Sequence, residues 1–504
     1  MTTTSKGPDE GSSAKFGEAL SGADVRRRAA GGVLVIGVRG VAVRLLGLVG
    51  NVLLARLLLS SDYGIVALAA TVLVFGSTLA DVGIGASLIR RREQPTRQEL
   101  RSLASIQILF TTGLVVILSA AALPFGRTGQ AVVVMSSALP LLALRTPASL
   151  LLERRLVYRP LAAVELLETA AFNAWAVGTV YAGWGIWGPA SGAWIRTVIG
   201  VAAMSIVSPA GLVLPGRLLS SARQLLRFGL QFQAVGLVVN LRPLVINTGV
   251  VAIAGTSKLA VWAIAERFLA VPVLLFESLW RVLFPMMSRL VQARDTSREA
   301  LERGLGLLAF AVGSVVVPLV AAAPALIPAL LGTGWNASVD ALVFGALAFL
   351  VSLPVDIVAA TYIYAHGRAG AVLGAALAES AIWIVGGLTL LPLLGASAIG
   401  LAAIPARLVG AVILVRPFHA LVGVRVLESV VRPTVAAILA CGFGWALSKS
   451  LDHSVPVAVG IASVAFTAYV GFTATIDRDL IRRALVVGRF SVQAARRPTS
   501  ARPA

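Results

Sequence analysis

Of 504 residues, 58% are hydrophobic and only 13% charged, with a mean hydropathy of +0.89. Soluble domains run near about 45–50% apolar and about 25% charged, so this composition excludes them and specifies a polytopic membrane protein. A net charge of +20 would point to nucleic acid in a soluble protein, but cytoplasmic loops of membrane proteins collect the same Lys and Arg, so no nucleic-acid partner is expected.

The single Cys441 excludes an internal disulfide, and His366, His419 and His453 are too scattered to form a metal site. No lysine stands in a GxxxxGK[ST] loop, so the chain carries no phosphate loop and is no ATP-driven pump by itself. Neither a cofactor nor an enzymatic activity is expected.

Residues 1–30 are rich in Ser, Thr, Gly and charge and read as a disordered tail. The Arg26-Arg27-Arg28 cluster mimics a signal-peptide start, but the apolar run after it is too long, so it reads as a retained first helix. Candidate spans, all-α, fall at about 33–58, 64–89, 102–125, 131–152, 160–182, 186–208, 227–253 and 259–285, each long enough to cross a bilayer. They continue at about 304–330, 339–365, 369–391, 396–415, 433–449 and 455–476, giving about fourteen in all. With the N-terminus in the cytoplasm, the inner segments hold 31 of the 43 basic residues and the outer loops only Arg127, Lys258 and Lys449. That asymmetry sets an N-in, C-in topology in the cell membrane. Every outer loop is short, which argues against a membrane-bound polymerase or glycan ligase with a large outer domain.

The other nine basic residues lie within spans. Arg56, Arg145 and Arg281 are close enough to helix ends to snorkel to headgroups. Arg44, Arg242 and Arg267 lie near mid-span, where an arginine costs about 2.5–3.5 kcal/mol on insertion scales, so an anion-accepting cavity is expected around them. Arg39, Arg196 and Arg407 fall between. Sliding the chain by 196 residues sets Gly40, Arg44, Gly47 and Asn51 on Gly236, Asn240, Pro243 and Asn247, each set on one helix face. Two readings of that repeat stand: a binding site where two halves meet, or small residues that mark helix packing.

Acidic residues within spans are Asp81, Glu165, Glu168, Glu266, Glu277, Asp356 and Glu379. Glu277 is expected to pair with Arg281 four residues on, and Glu165 and Glu168 to neutralise Arg154, Arg155 and Arg159. Asp356 and Glu379 are deep and without a sequence-local arginine, which makes them the candidates for ion coupling.

The corner Ala55-Arg56-Leu57-Leu58-Leu59-Ser60-Ser61-Asp62-Tyr63-Gly64, followed by Leu79-Ala80-Asp81-Val82-Gly83-Ile84-Gly85, resembles bacterial oligosaccharide flippases. These belong to the multidrug/oligosaccharidyl-lipid/polysaccharide superfamily. Leu151-Leu152-Glu153-Arg154-Arg155, Gly185-Ile186-Trp187, Leu283-Phe284-Pro285 and Gly332-Thr333-Gly334-Trp335 are similar in kind and order.

The resemblance, over roughly residues 33–450, implies two pseudo-symmetric six-helix lobes in a V and two C-terminal helices. The expected division is an N-lobe at 31–208, a linker at 209–226, a C-lobe at 227–416, helices 13 and 14 within 417–476, and a basic tail at 477–504. It further implies a cavity lined by helices 1, 2, 7 and 8, where Arg39, Arg44, Asn51, Asn240, Arg242, Asn247 and Arg267 would receive the substrate. Many members carry an acidic residue in helix 7 near Leu241; Asn240-Leu241-Arg242-Pro243 has none, which makes the cavity more positive. The implied substrate is an undecaprenyl-pyrophosphate-linked glycan, with polysaccharide polymerase or export machinery as possible partners. A cation-coupled drug antiporter and a peptidoglycan-precursor flippase share the fold and remain as rivals.

Overall fold

The computed structural model describes residues 22–81, 95–155, 157–216, 222–293 and 298–486. The basic cluster Arg90-Arg91-Arg92 and the motif Val82-Gly83-Ile84-Gly85 lie outside these residues, as do the side chains of Asp81, Glu277 and Arg281.

Every regular element among the described residues is helical. The first helix, α1 (Gly22–Leu57), starts earlier than its apolar run and takes in the triple arginine at 26–28. A two-residue corner leads to α2 (Ser60–Asp81). In α3 (Arg97–Ala122), Thr96 accepts from the Glu99 amide at 3.2 Å and Glu99 Oε2 accepts from the Thr96 amide at 2.8 Å. This capping box satisfies two N–H groups that the helix itself leaves orphaned.

At Gly126, where φ is +57°, the chain turns back, and the fourth rod lies against α3. The fourth rod is broken into three pieces, α4a (Gly126–Ser136), α4b (Leu139–Ala143) and α4c (Thr146–Arg154). Pro140 and Pro147 each lack the N–H that would continue the ladder. Then come α5 (Tyr158–Tyr181), α6 (Trp187–Val207), α7 (Ala222–Ala254) and α8 (Thr256–Ala293). The rest is α9 (Arg298–Leu331), α10 (Ala337–Ala365), α11 (Ala369–Leu394), α12 (Ser397–Val422), α13 (Val426–Lys449) and α14 (Val455–Ile476).

Ten described helices, or eleven counting the bent pair in α10, are long and apolar enough to cross a membrane. One of these runs is Arg97–Ala143, which the turn at Gly126 folds into a hairpin. The charged α5 and α8 fall outside the apolar set although they have 24 and 38 residues.

The first six rods pack on one another, with α1 on α5 and α5 on α6. Rods α7 to α12 do likewise, with α7 on α11 and α10 on α12. The last two helices dock on α9, where Tyr469 stacks on Phe310 at 5.3 Å and fills the space Gly313 leaves. The two halves meet along α2 with α7 and α8, and along α1 with α8 and α9.

Candidate functional site

The seam between the halves is tight at the end of the two corners, Leu58-Leu59 and Gly255. There the Tyr63 hydroxyl donates to Asn51 Oδ1 at 3.1 Å, and Asn51 Nδ2 donates back to the Gly47 carbonyl at 2.6 Å. Asn247, buried on α7, donates to the Thr71 hydroxyl at 2.9 Å across the halves. Tyr63 meets Trp335 edge-on at 5.6 Å, and Gly64 lies so close to the Thr256 backbone that no side chain fits between them. Arg56 was expected to snorkel; it donates instead to the carbonyls of Leu330 and, at 3.0 Å, Ala329, the open C-terminal end of α9. A guanidinium suits that place, because the last carbonyls of a helix lack partners and carry negative potential.

Towards the basic loops the seam loosens. On α1 no residue from Arg39 to Val49 is fully buried, whereas Gly50, Leu54, Ala55 and Leu58 are. On α7 no residue from Leu237 to Val245 is buried, whereas Ile246, Asn247 and Val250 are. Arg39, Arg44, Asn240 and Arg242 all lie on the loosened stretches, partly buried. Arg267 follows the buried run Leu259–Ala265 of α8, is itself exposed, and faces the Tyr63 hydroxyl.

Each half carries an ionic cluster of its own. In the first, Arg39 Nε on α1 is 3.0 Å from Glu165 on α5. Arg145, at the break between α4b and α4c, is 2.8 Å from Glu168 and 3.7 Å from Glu165. Arg196 on α6 also faces Glu168. The expected neutralisation of Arg154, Arg155 and Arg159 by these glutamates is therefore replaced by pairing with Arg39 and Arg145. Arg145 does not snorkel either: its side chain is 17% exposed and its ligands are inside the bundle.

In the second half, Arg242 Nη1 is 2.7 Å from Glu379 Oε1 and its guanidinium lies 4.5 Å over the Trp383 ring. Arg407 is 3.9 Å from Asp356, 3.3 Å from the Ser352 hydroxyl, and over both Phe349 and Trp383. Asp356 and Glu379 lack arginines nearby in sequence, but the fold supplies Arg407 and Arg242 from other helices. Arg242 is accordingly engaged by a carboxylate.

The two clusters are related by the chain itself. Glu168 and Glu379 are each the eleventh residue of their helices and stand 211 positions apart, as do Arg196 and Arg407, and Phe172 and Trp383. Gly200 on α6 leaves room for the Glu168 carboxylate; Gly410 on α12 faces Glu379 in the same way. At the same interval Arg145 becomes Asp356. Thus the 196-residue offset, which also separates Ser60 and Thr256 at the starts of α2 and α8, holds only for the opening helices of each half. No three His, Cys, Asp or Glu side chains among the described residues lie together in a metal-holding group.

A family profile described as "Polysaccharide biosynthesis protein" matches residues 53–340. No curated protein matches the chain in sequence. Among solved structures, "Lipid II flippase MurJ, inward closed conformation" is similar over 88% of this chain and 99% of its own, with a TM-score of 0.66 at 14% identity. "Inward-facing conformation of a multidrug resistance MATE family transporter of the MOP superfamily" is similar over 76% and 98%, with a TM-score of 0.50 at 15% identity. At those identities the likeness is one of fold.

Proposed function

The chain belongs to the polysaccharide biosynthesis protein family, as a multi-pass membrane protein of the flippase fold, and on that premise we propose its cargo and its cycle. It translocates polyprenyl-pyrophosphate-linked oligosaccharide repeat units across the cytoplasmic membrane for surface polysaccharide synthesis. The observation that carries this reading is the seam: closed at the corner end, loosened at the basic-loop end, with Arg39, Arg44 and Arg242 on the loosened stretches and Arg267 beside Tyr63 where the closed end begins.

With the basic loops and both termini in the cytoplasm, fourteen crossings in two six-helix lobes and a C-terminal pair, that opening faces the pool of newly made lipid-linked glycan. Guanidinium groups take pyrophosphate bidentately. Arg44, Asn240 and Arg267 line the path of the head group, and Asn51 and Asn247 add neutral donors once the closed end opens and releases them from Gly47 and Thr71. Arg242 can reach the cargo only by exchanging Glu379 for phosphate. That exchange leaves Glu379, beside Asp356, without its cation, which is how cargo and a coupling ion would be linked.

The driving force follows from charge. A pyrophosphate head carries roughly two negative charges, each worth about 2.3 kcal/mol per 100 mV, so a negative cytoplasm favours its exit by about 4–5 kcal/mol per 100 mV. The emptied arginine site is positive and is drawn back by the same field. The test is proteoliposomes under potassium–valinomycin potentials of either sign, with undecaprenyl-pyrophosphate-linked trisaccharide as cargo. Transport is expected to follow the sign, to be lost in the Arg44→Gln, Arg242→Gln, Arg267→Gln triple variant, and to return in part with Lys. Rates indifferent to sign, or a fully active triple variant, would overturn the reading.

A further inference from the structure

A cavity of about 370 Å³ lies in the first half, among α2, α3, the broken α4 and α5. Its polar lining comes from Ser77, Gln107, Arg145, Thr146, Ser149, Glu153 and Glu165. Irregular backbone at membrane depth persists only where it is buried in protein or lines a polar space, and all the breaks of α4 are here. Leu139, Ala143, Arg145 and Thr146, on either side of those breaks, are wall residues. Pro147 has no N–H to give the Ala143 carbonyl.

Gln107 supplies the second observation. It is 1% exposed, its Nε2 donates to the Ala80 carbonyl at 3.3 Å, and its Oε1 has no protein partner among the described residues. A buried amide oxygen without a partner forfeits about 1–3 kcal/mol, so such a group at a cavity wall marks where a ligand donor goes.

The lining also states what kind of ligand fits. Its charged groups are one guanidinium, Arg145, and two carboxylates, Glu153 and Glu165. Arg145 is already held by Glu168 and Glu165, so this is no anion site. The remainder is hydroxyls, an amide oxygen and carboxylates, a set that suits a ligand with several O–H or N–H donors. The volume is near the lower end of the range for small-molecule sites, about 300–1,000 Å³, which admits one sugar and not a repeat unit.

Position completes the argument. Glu165 is a wall of the cavity and the ion-pair partner of Arg39 at 3.0 Å, so a phosphate-seeking arginine of the seam and this polyol-lined space share one carboxylate. Given the flippase reading above, on which this inference rests, we propose that the cavity receives the monosaccharide joined directly to the pyrophosphate, neutral or N-acetylated, and selects the cargo by it. Gln107 and Ser149 read the sugar; Arg39 takes the phosphate by exchanging Glu165 for it, as Arg242 would exchange Glu379.

The experiment uses the full-length protein in nanodiscs and a fluorescent polyprenyl pyrophosphate, bare or carrying one N-acetylglucosamine, N-acetylgalactosamine, galactose or glucose. At least one sugar should tighten binding about tenfold over the bare lipid. Gln107→Leu and, independently, the milder Ser149→Ala should remove most of that gain while leaving the bare-lipid affinity unchanged. Arg39→Gln should weaken both lipids alike. The inference is overturned if no sugar improves on the bare lipid, or if both folded variants keep the gain or lower both lipids equally. Wild-type protein that binds no lipid at all would refute the flippase reading itself, and this inference with it.

Discussion

The two halves of the molecule share one glutamate–arginine plan and differ in the charges set around it: Arg145 gives way to Asp356, Glu165 to Ala376, and Arg242 stands where the first half has Leu46. Each sets a glutamate at the eleventh position of its penultimate helix and an arginine on the next. Around Glu168 the further partner is Arg145, and around the first cluster arginines outnumber carboxylates. Around Glu379 the position of Arg145 is taken by Asp356, and two arginines face two carboxylates. The packing differs in the same direction. The second half shares one continuous core with the C-terminal pair, whereas the first half adds three small separate clusters, a broken helix and an internal cavity. A balanced cluster in a solid core suits a framework; a cluster beside a polar cavity suits the reception of a ligand.

The sharpest way to break this comparison is to orphan each glutamate in turn. Arg145→Gln leaves Glu168, 2% exposed, without its 2.8 Å partner, and removal of one member of a buried pair costs about 3–5 kcal/mol. Arg242→Gln does the same to Glu379, at 15% exposed, for somewhat less. Equilibrium unfolding in detergent should record both losses, and the paired changes Arg145→Gln with Glu168→Gln, and Arg242→Gln with Glu379→Gln, should each recover most of the stability. Additive losses in the double variants would mean that the clusters do not work as pairs.

Next in size is the contrast between the two facing glycines. A methyl group at Gly200 would run into the Glu168 carboxylate, whereas at Gly410 it would stand 3.3 Å from Glu379 Oε2. Gly200→Ala should therefore cost about 1–3 kcal/mol, as overpacking does, and Gly410→Ala distinctly less. Equal melting temperatures for the two variants would dissolve the distinction.

The smallest effect concerns the ring that only the second cluster uses. Trp383 lies under both Arg242 and Arg407 and donates its indole N–H to the Ile399 carbonyl at 2.8 Å. Trp383→Phe restores the residue type that stands at 172 and gives up that hydrogen bond, for about 1 kcal/mol. Unfolding curves that overlay wild type would show the indole to be a spacer.

Much of this could be read from the chain, and the failures have definite causes. Hydropathy located the rods, including α5 and α8, and mid-span charge located Arg44, Arg242, Asp356 and Glu379. What sequence proximity could not reveal is pairing: Arg242 and Glu379 are 137 residues apart, and Arg145 and Glu168 23. Arg145 looked like a residue near a helix end because the fourth span reads as continuous; Pro140 and Pro147 are visible in it, but apolar neighbours hide the break they cause. The repeat is legible only at 196 residues because the second half is longer after its second helix: α9 has 34 residues against 26 in α3, eight of the fifteen that push the later helices to 211, and longer connections on either side supply the rest. Gln107 left no signal at all, being one polar residue in an apolar helix.

The hold of Arg56 on the end of α9 has a consequence for what happens when no cargo is present. Hydrogen bonds from a charged group are worth about 1.5–3 kcal/mol, which weights the closed corner end over an open one by roughly tenfold to a hundredfold. In the proposed flippase cycle an empty carrier would rest sealed on that side. Arg56→Gln would then be expected to let empty carriers turn over, visible as substrate-free leak before any fall in transport.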